Sequence, residues 1–181
     1  RRLVKALERA RATVMQATPA TWMMLLESGW TGATGLRAWC GGDRLSDNLA
    51  DDLLVRLPEV WNLYGPTETT IWSTITRLHR GEPVTIGLPI SGTGVYLLDE
   101  FRRPVADGVT GEIWISGAGV AQGYWNDPTQ SAGRFVADPF QPGWRMYRTG
   151  DLGSRLANGA LRHSGRIDDQ VKVHGHRIEP G

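Results

Sequence analysis

Residues 60–70 run Val60-Trp61-Asn62-Leu63-Tyr64-Gly65-Pro66-Thr67-Glu68-Thr69-Thr70. An apolar run stops at a Gly-Pro turn and gives way to hydroxyls around a single carboxylate. Val60–Leu63 is short and bounded by turn residues, so it reads as a buried strand. Loops at the ends of strands in α/β sheets are where ligands bind. There, Thr67, Thr69 and Thr70, with free backbone N–H groups, can hold phosphate oxygens. Glu68 beside them can bind Mg²⁺ together with those oxygens, because Mg²⁺ takes few protein ligands plus substrate phosphates. Tyr64 offers a flat face to a nucleobase. The same residues also suit a polar turn with an ordinary cap, and the stretch alone leaves both readings open.

Working outward toward the N-terminus, helices and strands alternate. The spacing of Leu3, Leu7 and Ala10 predicts a helix over Leu3–Ala12, and a short strand is expected at Thr13–Gln16. Pro19 opens a helix over Ala20–Ser28, since proline is tolerated in a first turn. Leu36–Cys40 reads as a buried strand ending in Gly41-Gly42, and Ser46 as the N-cap of a helix to about Arg56. This alternation predicts a mainly parallel sheet. Past residue 80 the chain turns β-rich. Short strands are expected at Gly94–Asp99, Gly111–Ser116, Arg145–Thr149, Leu152–Ala157 and Ala160–His163, and a helix at Pro128–Phe135. Asp107-Gly108 and Asn158-Gly159 supply turns, the second a hairpin signal. Regularly spaced short strands predict a barrel or curved antiparallel sheet. The boundary is expected in the polar stretch Arg80–Pro83.

Composition narrows the class. Lys+Arg 20 against Asp+Glu 19 leaves a net charge of +1 in 181 residues, without the basic surplus of a nucleic-acid binder. At 40% hydrophobic and 22% charged residues the chain is expected to fold. No apolar run approaches the roughly 18–20 residues that span a bilayer. The single cysteine, Cys40, excludes an internal disulfide framework and fits a reducing, cytoplasmic compartment.

Two further motifs carry chemistry. In Tyr147-Arg148-Thr149-Gly150-Asp151-Leu152, a carboxylate follows a glycine at the start of a strand. It can accept hydrogen bonds from a ribose diol, or cap its own turn. From Gly165 to Glu179 six charged residues (Arg166, Asp168, Asp169, Lys172, Arg177, Glu179) surround an alternating stretch Gln170–Val173, which also suits a solvated edge strand.

Taken in order, Asn62-x-Tyr64-Gly65-Pro66-Thr67-Glu68, the glycine-rich Gly111–Tyr124, Tyr147–Leu152, and Gly165-Arg166-x-Asp168-x-Gln170-Val171-Lys172 resemble the adenylate-forming enzymes, within them the adenylation domains of nonribosomal peptide synthetases. Asn126-Asp127-Pro128 and Arg134-Phe135-Val136 lie downstream of the second motif. The resemblance covers essentially the whole chain. It implies a partial large N-terminal subdomain, α/β followed by β-rich, with a layered α/β sheet and a distorted β-barrel that ends at a hinge. Residues 1–82 would form the end of the α/β part, 83–165 the barrel-like part, and 166–181 the hinge and the start of a small C-terminal domain. The chain would then be a piece without the upstream phosphate loop and the downstream lysine domain, inactive alone.

The resemblance also implies an activity: an amino acid and ATP give an aminoacyl-adenylate and pyrophosphate. The acyl group then passes to the phosphopantetheine thiol of a peptidyl carrier domain. Neighbouring synthetase modules are implied partners; nucleic acid and membrane are not. By motif, Glu68 would be the Mg²⁺ ligand and Thr67 a phosphate contact. Tyr64 would stack on adenine, Asn62 would bond its amino edge, and Gly42 and His163 would lie beside the nucleotide. Asp151 would bind the ribose hydroxyls and Arg166 would contact the nucleotide near them. Asp168 matches the hinge residue, and Lys172 would act in the thioester-forming arrangement.

The family's side-chain pocket maps onto Gln16, Trp39, Gly41, Leu63, Ile71 and Trp72. Bulky apolar walls leave little room for a substrate side chain, and the set resembles the family's pattern for glycine, apart from Trp39. Two alternatives stand beside this reading. An acyl- or aryl-CoA ligase would share the nucleotide motifs but act on a free fatty or aromatic acid. A non-catalytic interaction module would use its eight tryptophans for docking, although Trp22, Trp114 and Trp144 sit in apolar patterns expected in a core.

Overall fold

The computed structural model describes residues 2–168 and, as backbone, two short strands beyond them, Val171–Val173 and His176–Ile178, which pair antiparallel. The chain divides into two units. One holds the residues up to Leu63 together with Thr76–Thr85 and the chain from Val171 on, and the other Tyr64–Ile75 together with Ile86–Gln170.

The first unit contains α1 (Arg2–Ala10), β1 (Val14–Ala17), α2 (Pro19–Glu27), β2 (Arg37–Gly41), α3 (Asp47–Arg56) and β3 (Glu59–Tyr64), whose last residue belongs to the second unit. The strands β1, β2 and β3 are parallel neighbours, in register at Gln16↔Trp39 and Trp39↔Trp61. Local chemistry sets the helix ends. Thr18 accepts from the Thr21 N–H with Pro19 in the first turn, and Ser46 accepts from the Leu49 N–H, which satisfies donors that a helix start leaves open. Period-2 alternation splits the sheet. Ala38, Cys40 and Val60 point to one face and are buried with Trp22, Leu25, Leu49 and Leu53 from the helices. The residues of the other parity, Gln16, Trp39, Gly41, Trp61 and Leu63, share the opposite face.

Cys40 lies at the centre of that core, and burial pushes its thiol from the ordinary 9.0 up to about 12. The neutral thiol is therefore favoured in the folded state, and its stabilising effect is full below pH 9.0. It is lost as pH rises from 9.0 toward about 12, where the unfolded chain ionises and the folded one does not. At pH 8 the folded protein is expected to resist iodoacetamide at Cys40 and to react once unfolded in urea. Equal labelling rates in both states would contradict the burial.

The second unit is built on an antiparallel sheet. Its elements are β4 (Thr74–Arg77, of which Thr74 and Ile75 belong here), β5 (Leu88–Pro89), β6 (Thr93–Leu98), β7 (Gly111–Gly117), α4 (Pro128–Arg134), β8 (Phe135–Ala137), β9 (Arg145–Arg155) and β10 (Leu161–Arg166). The order is β10-β9-β7-β6, with β8 also on β9. One face carries Ile86, Val95, Leu97, Ile113, Ile115 and Leu161. The other carries Leu98, Trp114 and Met146. The Asn158-Gly159 hairpin forms, with Gly159 at φ +84° and the Ala160 N–H on Asn158 Oδ1.

Two expectations need correcting. Arg145–Thr149 and Leu152–Ala157 are not separate strands but the single strand β9. Opposite Ile113, the one residue between Glu112 and Trp114, β9 places three residues, Thr149, Gly150 and Asp151. Gly150 at φ +76° takes up the excess as a bulge, so pairing resumes beyond it. Trp144 is not core: it is 42% exposed. It sits in the turn entering β9, where its backbone groups are bonded to Asp138 and Gln141.

Candidate functional site

In the second unit the motif residues converge on two carboxylates. Asp151 stands on the β9 bulge, its own N–H bonded to Thr149 Oγ1, while Thr149 Oγ1 donates to the Ile113 carbonyl. A second register shift falls in β10 between His163 and Gly165. The two irregularities aim Asp151, His163 and Arg166 at one another. The Tyr64 hydroxyl donates to Asp151 Oδ2 at 2.6 Å. Arg166 Nη1 donates to Oδ1 at 2.6 Å, and His163 Nε2 lies 3.5 Å from Oδ1. The Gly165 N–H donates to His163 Nδ1, so Nε2 is the ring nitrogen that faces the carboxylate.

Burial pushes the Asp151 carboxyl upward, but hydrogen bonds from His163 and Tyr64 and the Arg166 guanidinium outweigh it, holding Asp151 below the usual carboxylate range. Asp151 is thus an anion throughout the neutral range, and Oδ2, which accepts from Tyr64, has a second lone pair for a further donor. Burial, and then the neighbouring Asp151 charge, push the Tyr64 phenol well above its ordinary value, so it stays a donor. The Tyr64 ring lies 6.0 Å from the His163 ring, tilted by 53°.

The second carboxylate is Glu68, buried in a single 3₁₀ turn, Thr67–Thr69, entered from Pro66. The turn is fixed by the Ala121 N–H on the Glu68 carbonyl, by Thr69 Oγ1 with Ser73 Oγ at 2.6 Å, and by Thr70 Oγ1 on the Gly119 carbonyl. The Tyr124 hydroxyl donates to Glu68 Oε1 at 2.7 Å. Thr67 is exposed beside it. Thr70 and Ile71 are both left-handed, at φ +61° and +72°. Two consecutive β-branched residues in that region store strain, and the strain lies at the loop that holds Glu68.

Asn62 is buried in the first unit and gives an Nδ2 donor to the Thr85 carbonyl at 2.8 Å. Gly42 ends the β2 turn at φ +84°. Gln16, Trp39, Gly41 and Leu63 lie on one sheet face of that unit, whereas Ile71 and Trp72 lie in the strained loop of the second. Asp168 grips the Arg166 fork. The Lys172 side chain lies outside the described residues. Sequence reasoning passed over Tyr124, although it closes the glycine-rich motif. It also passed over Trp61, which the strand parity puts beside Trp39. Among the described residues no helix is long and apolar enough to cross a membrane.

Comparison with known proteins gives the family. The AMP-binding enzyme family matches residues 1–125. A dimodular nonribosomal peptide synthase of Bacillus subtilis is 46% identical over 182 residues, covering 99% of this chain and 8% of that protein. A solved four-domain nonribosomal peptide synthetase bound to AMP and glycine superposes with a TM-score of 0.87 at 46% identity, covering 97% of this chain and 14% of that one. The Vibrio cholerae adenylation domain AlmE, in complex with glycyl-adenosine-5'-phosphate, gives 0.83 at 30% identity, covering 97% and 35%. The chain therefore spans a tenth or less of the length of the curated relatives it matches. With its order of motifs, its mixed α/β architecture and this match in place, the chain belongs to the AMP-binding enzyme family, and its likeness is to the adenylation domains of nonribosomal peptide synthetases.

Proposed function

We propose that the chain is part of a domain that activates an amino acid with ATP, forming an aminoacyl-adenylate for transfer to a carrier-bound phosphopantetheine thiol. The observation that carries this reading is Asp151. It is a buried carboxylate kept anionic and oriented by Tyr64, Arg166 and His163 on a strand bulge, which suits it to accept hydrogen bonds from a ribose diol. Tyr64 and His163 present ring faces beside it, where an adenine can stack. In the reaction an amino-acid carboxylate oxygen attacks the α-phosphorus, the bond to the β-phosphate oxygen breaks, and pyrophosphate leaves. No side chain forms a bond in that step, so the protein acts by positioning and charge.

Glu68 fits Mg²⁺. It is one anionic ligand with an oxygen oriented by Tyr124, and Mg²⁺ uses one or two carboxylates with substrate phosphates rather than a protein cage. When bound, the ion offsets charge on the phosphate oxygens. Glu68 would hold it, and Thr67 would donate to the same phosphates. The second step, which releases AMP, is assigned by resemblance to an arrangement reached through Asp168 and involving Lys172.

For the amino acid, glycine is the reading we favour. Two similar structures hold glycine or a glycyl adenylate, and the residues assigned to the side-chain wall include Trp39, Leu63, Ile71 and Trp72. ATP–pyrophosphate exchange by the intact protein should peak with glycine. Trp72→Ala should open room and raise exchange with alanine and larger amino acids by about tenfold relative to glycine, the scale of one or two methylenes in a pocket. If exchange in the variant still peaks only with glycine, the steric account fails. If the wild type responds to fatty or aromatic acids and to no amino acid, the protein is a ligase of another kind. No exchange with any acid, and no ATP binding, would mark an interaction module.

A further inference from the structure

Asp168 lies between two arginines. Arg166 Nε and Nη2 grip its two oxygens at 2.7 and 3.0 Å, while Arg134 Nη2, from the last turn of α4, lies 3.7 Å from Oδ2. All three side chains sit over Gly150. A Cβ built on that glycine would lie 2.9 Å from Arg166 Nη2, 3.1 Å from Asp168 Oδ2 and 3.3 Å from Arg134 Nη1. Two guanidinium groups over one glycine repel each other unless an anion stands between them. Asp168 supplies that anion. Arg166 in turn reaches Asp151 with Nη1 and the Thr149 carbonyl with Nη2, while the Ile167 N–H bonds the Gly150 carbonyl. The order Arg134–Asp168–Arg166–Asp151 is a continuous ionic chain, and its outer end lines a cleft of about 380 Å³.

We infer that Arg134 is a positioning residue for nucleotide binding: by holding Asp168 it keeps the Arg166 fork turned so that Nη1 stays on Asp151. Arg166 has rotamer freedom along its stem and needs a second anchor to hold one orientation. Asp168 is that anchor, and Arg134 limits where its carboxylate can go. The inference rests on the reading of Asp151 as a nucleotide-contacting carboxylate. The Arg134 contact is a single long one, so a lysine can replace its charge. The Arg166 contacts form a fork that a lysine cannot reproduce.

The test uses the intact protein, with ATP affinity measured by calorimetry alongside KM and kcat for pyrophosphate exchange. Arg134→Gln should raise both the Kd and the KM for ATP by roughly three- to tenfold, the range for members of one ion-pair network, with kcat unchanged. Arg134→Lys should recover most of that loss. Arg134→Gln added to Asp168→Asn should cost nothing beyond Asp168→Asn alone. An unchanged Kd in Arg134→Gln, additive losses in the double variant, or a fall in kcat at constant KM would each overturn the inference. Should Arg134→Gln not fold, Arg134→Lys against Asp168→Asn decides it: near-wild-type affinity in the first and a raised Kd in the second support it, and equal affinities overturn it. Asp151→Asn is the control. If it leaves the Kd unchanged, the nucleotide reading falls and takes the inference with it. If it raises the Kd while Arg134→Gln does not, only the inference falls.

Discussion

Replacing Glu68 by glutamine in the intact protein is expected to lower ATP–pyrophosphate exchange on the order of 10²–10³-fold, the size found when one electrostatic contact to a transition state is removed. The substitution keeps shape and takes away charge. The amide oxygen of the introduced glutamine can still accept from the Tyr124 hydroxyl, as the carboxylate of Glu68 does at 2.7 Å. The turn should therefore survive, held by the Ala121 N–H, the Thr69–Ser73 hydroxyl pair and Thr70 on Gly119, none of which involves the carboxylate. The Mg²⁺ concentration needed for half-maximal exchange should rise in parallel, a readout separate from the rate. Thermal unfolding should be nearly unchanged. If exchange stays within about threefold of wild type at the same Mg²⁺ requirement, Glu68 is not the ligand and the turn is only a scaffold.

Gly65→Ala should act with comparable force by an unrelated route. A Cβ at Gly65 would lie 2.5 Å from the Ile71 carbonyl oxygen and 2.7 Å from the Ser73 nitrogen. Both obstacles are backbone, so no rotamer change relieves them. The Ser73 N–H is also bonded to the Tyr64 carbonyl, and Thr70 and Ile71 already occupy a strained region. Overpacking of this kind costs about 1–3 kcal/mol. The loop can escape only by moving Tyr64 away from Asp151 or Glu68 away from Tyr124. A misplacement of about 1 Å costs roughly 10²-fold in rate. The expected result is a lower denaturation midpoint together with near-complete loss of exchange. An alanine variant of wild-type midpoint and rate would show that the close approach is not needed.

Local chemistry was legible where neighbours in sequence decide the outcome. The cap at Ser46, the helix start at Pro19, the Asn158-Gly159 hairpin and the change from α/β alternation to short strands all follow from side chains within a few residues of one another. The motif order pointed to the family for the same reason: each motif is a contiguous run. Trp144 misled because an apolar pattern marks a strand flank equally well whether the side chain points inward or out. The β9 bulge was hidden because Gly150 reads as a break between strands, whereas it is pairing with β7 on both sides that makes one strand of them.

By itself the sequence determined which residue types stand in each loop and which periodicity each segment follows, and hence the fold class and the family. Only the tertiary structure decided what those residues do to one another. Tyr64 and Asp151 are 87 positions apart, and Glu68 and Tyr124 are 56 apart. No local propensity links such pairs, because their meeting depends on strand register and on bulges that re-aim a side chain by a fraction of a turn. The same holds for Arg134. In the sequence it is the basic end of a short helix. In the fold it closes an ionic chain over a glycine that has no side chain to obstruct it.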